Sequence, residues 1–168
     1  LIKYNGIGVA KAVSITAALE LGRRRRFSEA LERPCIKNSK IAFEYFYAHL
    51  SDLNYEQFWI MLLNNANKVI KLEKIGIGGL SGTTADPKKI FKSALENNAA
   101  SIMLCHNHPS GNIIPSEADK RITNTIVKAA HFLEIKILDH IIVGNNIYFS
   151  FADEKIKKKI FHKMLFIS

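Results

Sequence analysis

The segment from Ala100 to Cys105, ASIMLC, is almost wholly apolar and runs straight into His106-Asn107-His108-Pro109. A short run of this kind suits a buried strand. Side chains alternate across a strand, so two histidines at i and i+2 project from the same face and can share one ion. A catalytic zinc asks for a third protein ligand and an open position for water. After the Pro109-Ser110-Gly111 turn the chain reverses, and Asp119 falls in the first turn of a helix expected from Ser116 to about Leu133, where its carboxylate can face back toward the strand end. A competing reading makes Ser116-Glu117-Ala118-Asp119 a capping pattern: Ser116 accepts from backbone N–H groups, and acidic residues suit the helix dipole. His-x-His alone arises often by chance. The complete spacing, H-x-H-x(7)-S-x-x-D after an apolar strand, favours a metal site.

The rest of the chain supplies a sheet and helices to carry such a site. QFWIMLL, residues 57–63, reads as a buried strand; Lys68 to Lys74 alternates as a second one, with Asn64 to Asn67 as the turn between them. Asp86-Pro87 starts a helix, Asp as N-cap and Pro in the first turn, with Ile90, Phe91, Ala94 and Leu95 on one face and a stop near Asn97-Asn98. The helix after Ser116 carries Ile122, Ile126, Ala129 and Leu133 as its core stripe. Lys136 to Val143 and Ile147 to Phe151 form a hairpin around Gly144-Asn145-Asn146, and a basic amphipathic helix from about Asp153 to Leu165 closes the chain. Strands and helices interleave, so the fold class is mixed α/β or α+β around a central sheet.

The N-terminal part is of another kind. Residues 5–26 open on a Gly6-x-Gly8 turn and continue as a helix with Val9, Val13, Ala17 and Leu21 at helical spacing. A Gly-x-Gly turn entering a helix presents free N–H groups, the geometry of a phosphate-binding hairpin. Phe27 to Ser39 is polar and holds a proline, which places a linker over 28–39 between a segment 1–27 and a main domain 40–168; Lys40 to Leu50 reads as a short aromatic helix on that domain, burying Phe43, Phe46 and Tyr47. The chain starts at Leu1, not Met, and reads as a piece of a longer protein.

A length of 168 residues and a hydrophobic share of 48% allow one domain with a real core plus a smaller appendage. No stretch is long and apolar enough for a membrane span and no secretion signal opens the chain, so a soluble cytoplasmic protein with no membrane partner is expected. Cys35 and Cys105 make no C-x-x-C pair, which argues against a disulfide framework. The formal charge is +9, with basic runs at Arg23–Arg26 and at Lys155, Lys157, Lys158 and Lys159. Such a balance favours polyanions, nucleic acid above all, although a charged run is more often a solvated face.

H-x-H-x(7)-S-x-x-D resembles the JAMM signature of zinc-dependent isopeptidases and deubiquitinases of the MPN fold. HNHPSGNIIPSEADKRIT followed by ILDHIIVG looks like the bacterial RadC branch of that superfamily, and GIGVAKAVSITAALELGRR is similar to the second half of the helix-hairpin-helix that precedes the JAMM domain there. The resemblance implies a cytidine deaminase-like central mixed sheet flanked by helices. It implies one zinc per chain on His106, His108 and Asp119, with Ser116 helping to hold the oxyanion or the bound water. It also implies an upstream glutamate as general acid/base, matched here by Glu56 in NYEQFW. Zinc lowers the pKa of bound water to about 7, and a carboxylate is wanted to take its proton and pass it to the leaving amine. Asn107 departs from the Ser or Thr usual in the eukaryotic peptidases and agrees with the RadC pattern.

Two functions follow as expectations. The first is a zinc metallopeptidase or isopeptidase acting on a protein or peptide, with zinc-activated water attacking an amide carbonyl. The second is a DNA-binding accessory protein linked to repair or recombination, gripping phosphates through Gly6, Gly8 and Arg23–Arg26, its zinc structural or vestigial. The letters HNH do not signal an HNH nuclease, in which the three residues are dispersed. His140 reads as a hydrogen-bonded core or rim residue of the sheet, His49, His131 and His162 lack partners at ligand spacing, and Cys105 reads as a buried thiol on the face opposite His106. Gly76 to Gly79 and Ser81-Gly82 read as a surface turn with a groove-lining loop as the alternative.

Overall fold

A computed structural model describes residues 4, 8–51, 53–78 and 85–154, and of residues 23–32 the backbone alone. The chain divides into two compact units, Leu1–Pro34 and Cys35–Ser168.

Within the first unit, helix α1 spans Val9–Glu32 with Gly8 as a bare N-cap. The helix expected to stop at Arg26 therefore continues through the first part of the segment read as an irregular linker. Ser28 to Glu32, SEALE, is good helix-forming sequence, and the stop comes at Arg33, extended at φ −61° and ψ 125° because Pro34 disfavours a helical residue before it. Val9, Val13 and Leu21 lie exposed along α1. Gly6 and the side chains of Arg23–Arg26 lie outside the described residues, as do Lys155 and the remainder of the expected terminal helix and the glycines at 79 and 82.

The second unit is α2 (Ser39–Leu50), β1 (Gln57–Leu63), β2 (Val69–Ile77), α3 (Pro87–Glu96), β3 (Ser101–Asn107), α4 (Glu117–Phe132), β4 (Lys136–Val143) and β5 (Tyr148–Ser150). The strands form one mixed sheet in the order β2-β1-β3-β4-β5. β1 is antiparallel to β2 and β3, β3 runs parallel to β4 through the α4 crossover, and β5 returns antiparallel on β4. This is the α+β architecture expected. The cap of α3 sits where the sequence puts it, Asp86 accepting from the Lys88 N–H at 2.9 Å with Pro87 opening the helix; α2 is started by Asn38, which accepts from the Ile41 N–H, inside the segment read as linker.

Strand alternation sorts the sheet into two apolar faces. Phe58, Ile60, Leu62, Ile102 and Leu104 point to one side and pack with Ile90, Phe91 and Ala94 of α3 and Ile126, Val127 and Ala130 of α4. Met61, Leu63, Met103 and Cys105 point to the other and pack with Ala42, Phe43, Phe46 and Leu50 of α2. Each such side chain, fully buried, stabilises by about 1.5–3 kcal/mol relative to exposure. Two members of the expected stripes are not core: Leu95 is 55% exposed and Leu133 is 40% exposed. Leu95 falls in the last turn of α3 and Leu133 is the C-cap of α4, where each helix ends. His106 continues the series of Ile102 and Leu104, so it faces the α3/α4 side, next to the start of α4. Among the described residues no helix is long and apolar enough to cross a membrane.

Candidate metal centre

Parallel pairing with β4 runs to the end of β3 and one residue beyond, where the His108 N–H donates to the Val143 carbonyl at 2.8 Å. That extension keeps His106 and His108 in extended register, and their Nε2 atoms come to 2.9 Å of one another. Asp119, in the first turn of α4, brings Oδ1 to 3.2 Å from His106 Nε2 and Oδ2 to 3.7 Å from His108 Nε2. The three residues thus offer ligand atoms that all lie within 4.8 Å, a group that could hold a metal ion. His106 is buried, while His108 and Asp119 are partly open to solvent, which suits a site that a small reactant must reach.

Capping and ligation turn out to use one residue at once. Ser116 is the N-cap of α4 in a full capping box: its Oγ accepts from the Asp119 N–H at 3.1 Å and donates to Asp119 Oδ2 at 2.6 Å, and its own N–H donates to Oδ2 at 2.8 Å. The box holds Oδ2 and so aims Oδ1 at His106. Burial alone would raise the Asp119 carboxyl; His106 and the two Ser116 donors outweigh it and hold the group well below the usual carboxylate range. Asp119 is therefore an anion.

The ring nitrogens away from the cluster are engaged too. His108 Nδ1 lies 2.5 Å from the Asn112 carbonyl oxygen, which can only accept, so a neutral His108 spends its proton there and leaves Nε2 bare. His106 Nδ1 lies 2.8 Å from His140 Nε2, and His140 Nδ1 lies 2.6 Å from Thr123 Oγ. Burial, then the neighbouring His106, keep the His140 ring well below the ordinary histidine pKa and hence neutral. A bare nitrogen, a second imidazole nitrogen and a carboxylate converging at these distances repel unless a proton or a cation sits among them. Two imidazoles and one carboxylate form a donor set that suits zinc with a position left open. The residues present fit a single metal ion.

Glu56 immediately precedes β1. Phe58, two residues on, stacks parallel to the His106 ring at 6.1 Å between centroids. The main chain around it is held from both flanks: the Glu56 carbonyl accepts from the Gly78 N–H at 2.8 Å, the Gln57 N–H donates to Asn107 Oδ1 at 2.7 Å, and Asn107 Nδ2 donates to the Tyr55 carbonyl at 3.0 Å. Asn107, between the two histidines, is thus tied to the residues on either side of Glu56.

The sequence alone reads His140 as a hydrogen-bonded core or rim residue of the sheet. It is buried, as read, but its partner is His106. Thr123 and Asn107 were given no part in the site. One local signal existed for Thr123, which lies one helical turn after Asp119; the roles of His140 and Asn107 depend on β3–β4 and β1–β3 register, which no local pattern encodes. Cys105 is fully buried on the opposite face, as expected.

A mixed sheet with a histidine pair ending its central parallel strand and an aspartate opening the crossover helix defines an α+β domain with a candidate metal site. Comparison with known proteins gives the family: the profile described as RadC-like JAB domain matches residues 36–156, and the chain belongs to that family. It is 51% identical over 156 residues to a UPF0758 protein of Flavobacterium johnsoniae, covering 93% of this chain and 68% of that protein. A UPF0758 protein of Porphyromonas gingivalis is 43% identical over 152 residues, covering 90% and 67%, and one of Chlorobaculum parvum is 41% identical over 156 residues, covering 93% and 70%. The chain spans about two thirds of the length of each.

Proposed function

We propose that this domain is a zinc-dependent hydrolase of the metallopeptidase or isopeptidase type, with one zinc held by His106, His108 and Asp119 and an amide bond as its target. The observation that carries the reading is the convergence of three ligand atoms whose carriers are already fixed from behind: Asp119 Oδ2 by Ser116 and His108 Nδ1 by the Asn112 carbonyl.

When bound, zinc supplies a Lewis acid that brings the pKa of water down to about 7 and polarises a carbonyl. The protein's own groups do the rest. Glu56 takes the proton from the attacking water and delivers it to the departing nitrogen, a task that needs a carboxylate on the histidine side of the sheet. Asn107 holds the backbone on both sides of that glutamate. Ser116 keeps Asp119 aimed through its N–H, and its hydroxyl, which must first leave Asp119 Oδ2, is the donor assigned to the oxyanion. A panel of peptide and isopeptide-linked substrates tests the assignment: Glu56→Gln is expected to keep its metal and lose about 10²–10⁴ in kcat. Wild-type turnover by Glu56→Gln would remove Glu56 from the mechanism.

The formal charge of +9 favours a second, compatible role in nucleic-acid contact through Gly6, Gly8 and Arg23–Arg26, with residues 1–27 as the C-terminal half of a helix-hairpin-helix. Steep salt dependence of DNA binding by the intact protein supports it, and no affinity at low salt ends it.

A further inference from the structure

We infer that Thr123 and His140 are positioning residues that keep a proton on His106 Nδ1 and so reserve Nε2 for an ion, through a hydrogen-bond chain anchored on the Asp119 backbone. The inference rests on the proposed metal reading for its purpose and on geometry alone for its content.

The direction of the chain follows from its end. Thr123 Oγ lies 2.6 Å from the Asp119 carbonyl oxygen, which has no proton to give, so the single hydroxyl proton of Thr123 points there. The 2.6 Å contact between Thr123 Oγ and His140 Nδ1 is then filled by a proton on Nδ1. A neutral imidazole has one N–H, so His140 Nε2 is an acceptor, and His106 Nδ1 at 2.8 Å must donate to it. A neutral His106 is left with no proton on Nε2, the atom that faces His108 Nε2 and Asp119 Oδ1.

Solvent cannot substitute for these bonds. His106, Thr123 and His140 are each 1% exposed, and the His140 ring lies between Phe58, at 5.5 Å between centroids, and Phe151, stacked at 5.0 Å. The fold brings the parts together from three elements. Leu104↔His140 is a parallel β3–β4 pair, which puts His140 beside His106, and α4 delivers Asp119 and, one turn later, Thr123. The circuit therefore links the backbone of one ligand to the imidazole of another. It sets which nitrogen of His106 is available before any ion arrives, a task distinct from ligation.

The test reads the histidine tautomers by long-range ¹H–¹⁵N NMR of the 168-residue chain, metal-free and zinc-loaded, together with zinc affinity by chelator competition. His106 is expected to carry a proton on Nδ1 with or without metal, and in the zinc-loaded chain to carry none on Nε2. Thr123→Val, which keeps shape and removes the hydroxyl, is expected to mix the tautomers and weaken zinc binding about 10–100-fold, while Thr123→Ser restores both. A His106 Nδ1 without a proton in the wild-type spectrum overturns the inference, and that spectrum decides it even if Thr123→Val fails to fold. Wild-type zinc affinity in a folded Thr123→Val overturns it as well. Should zinc bind to no variant while His106 shows Nδ1–H, the tautomer chain stands and the metal reading falls.

Discussion

The Asn107 side-chain oxygen accepts the Gln57 backbone N–H at 2.7 Å, so a residue lodged between two proposed ligands also fixes the start of the neighbouring strand. Asn107 is buried, and its carboxamide satisfies a donor and an acceptor that flank Glu56. Asn107→Leu, close in size, removes both bonds. It is expected to destabilise the chain by about 1–3 kcal/mol in urea unfolding, the cost of leaving buried polar groups unpaired, and to depress hydrolysis while zinc stays bound. Unchanged stability would mean that Gln57 and Tyr55 find other partners.

Gly144 is required for a steric reason. A Cβ there would stand 2.7 Å from Ile113 Cγ2 and 2.8 Å from the Gly111 carbonyl oxygen. The loop it would displace carries the Asn112 carbonyl that receives His108 Nδ1. Gly144→Ala is expected to cost about 1–3 kcal/mol through overpacking and to weaken zinc binding with it. Thermal unfolding and chelator competition on the same variant check both effects; loss of stability alone would uncouple the loop from His108.

The two thiols should react at very different rates. Cys105 is fully buried and its pKa is raised well above 9.0 by burial and then by the Asp139 carboxylate, so it holds no thiolate at neutral pH. Cys35 is only partly buried, with its Sγ on the Ala66 carbonyl. Titration of the native protein with a disulfide reagent is expected to show one accessible thiol and a second only on denaturation. Two fast thiols would contradict the packing of β3 against α2.

Glu73 on β2 accepts from Lys71 at 2.8 Å and from Ser93 of α3, and these two bonds, Lys71 first, lower its pKa below 4.5 against a small opposing effect of burial. A folded pKa below the unfolded one gives stability that is present above the unfolded value and lost as pH falls through the folded one. Glu73→Gln should therefore lower the urea midpoint at about pH 7, by an amount that shrinks as pH falls below the unfolded glutamate value. An equal loss at every pH would point to packing instead of charge.

How much of this was legible in the sequence follows from the range of each signal. Asp86-Pro87 and Ser116 marked the starts of α3 and α4 because caps are local chemistry. His106, His108 and Asp119 stood out for the same reason: they sit at the two ends of one short turn, and their spacing survives in a linear string. The competition between capping and ligation at Asp119 was a false choice, since the capping box is what aims the carboxylate. The run-on of α1 to Glu32 was missed because polar residues were read as loop where their helix propensity was sound. His140, Thr123 and Asn107 required strand register, and register is written in tertiary pairing, not in any window of sequence.

His106, His108 and Asp119 are expected to hold one metal ion between them. Zinc content of the purified chain after loading and desalting, measured by elemental analysis beside His106→Ala and Asp119→Ala, tests it most directly. One zinc per wild-type chain and none in either variant is expected; a wild-type chain that retains no zinc, or variants that retain it stoichiometrically, would rule out this ligand set.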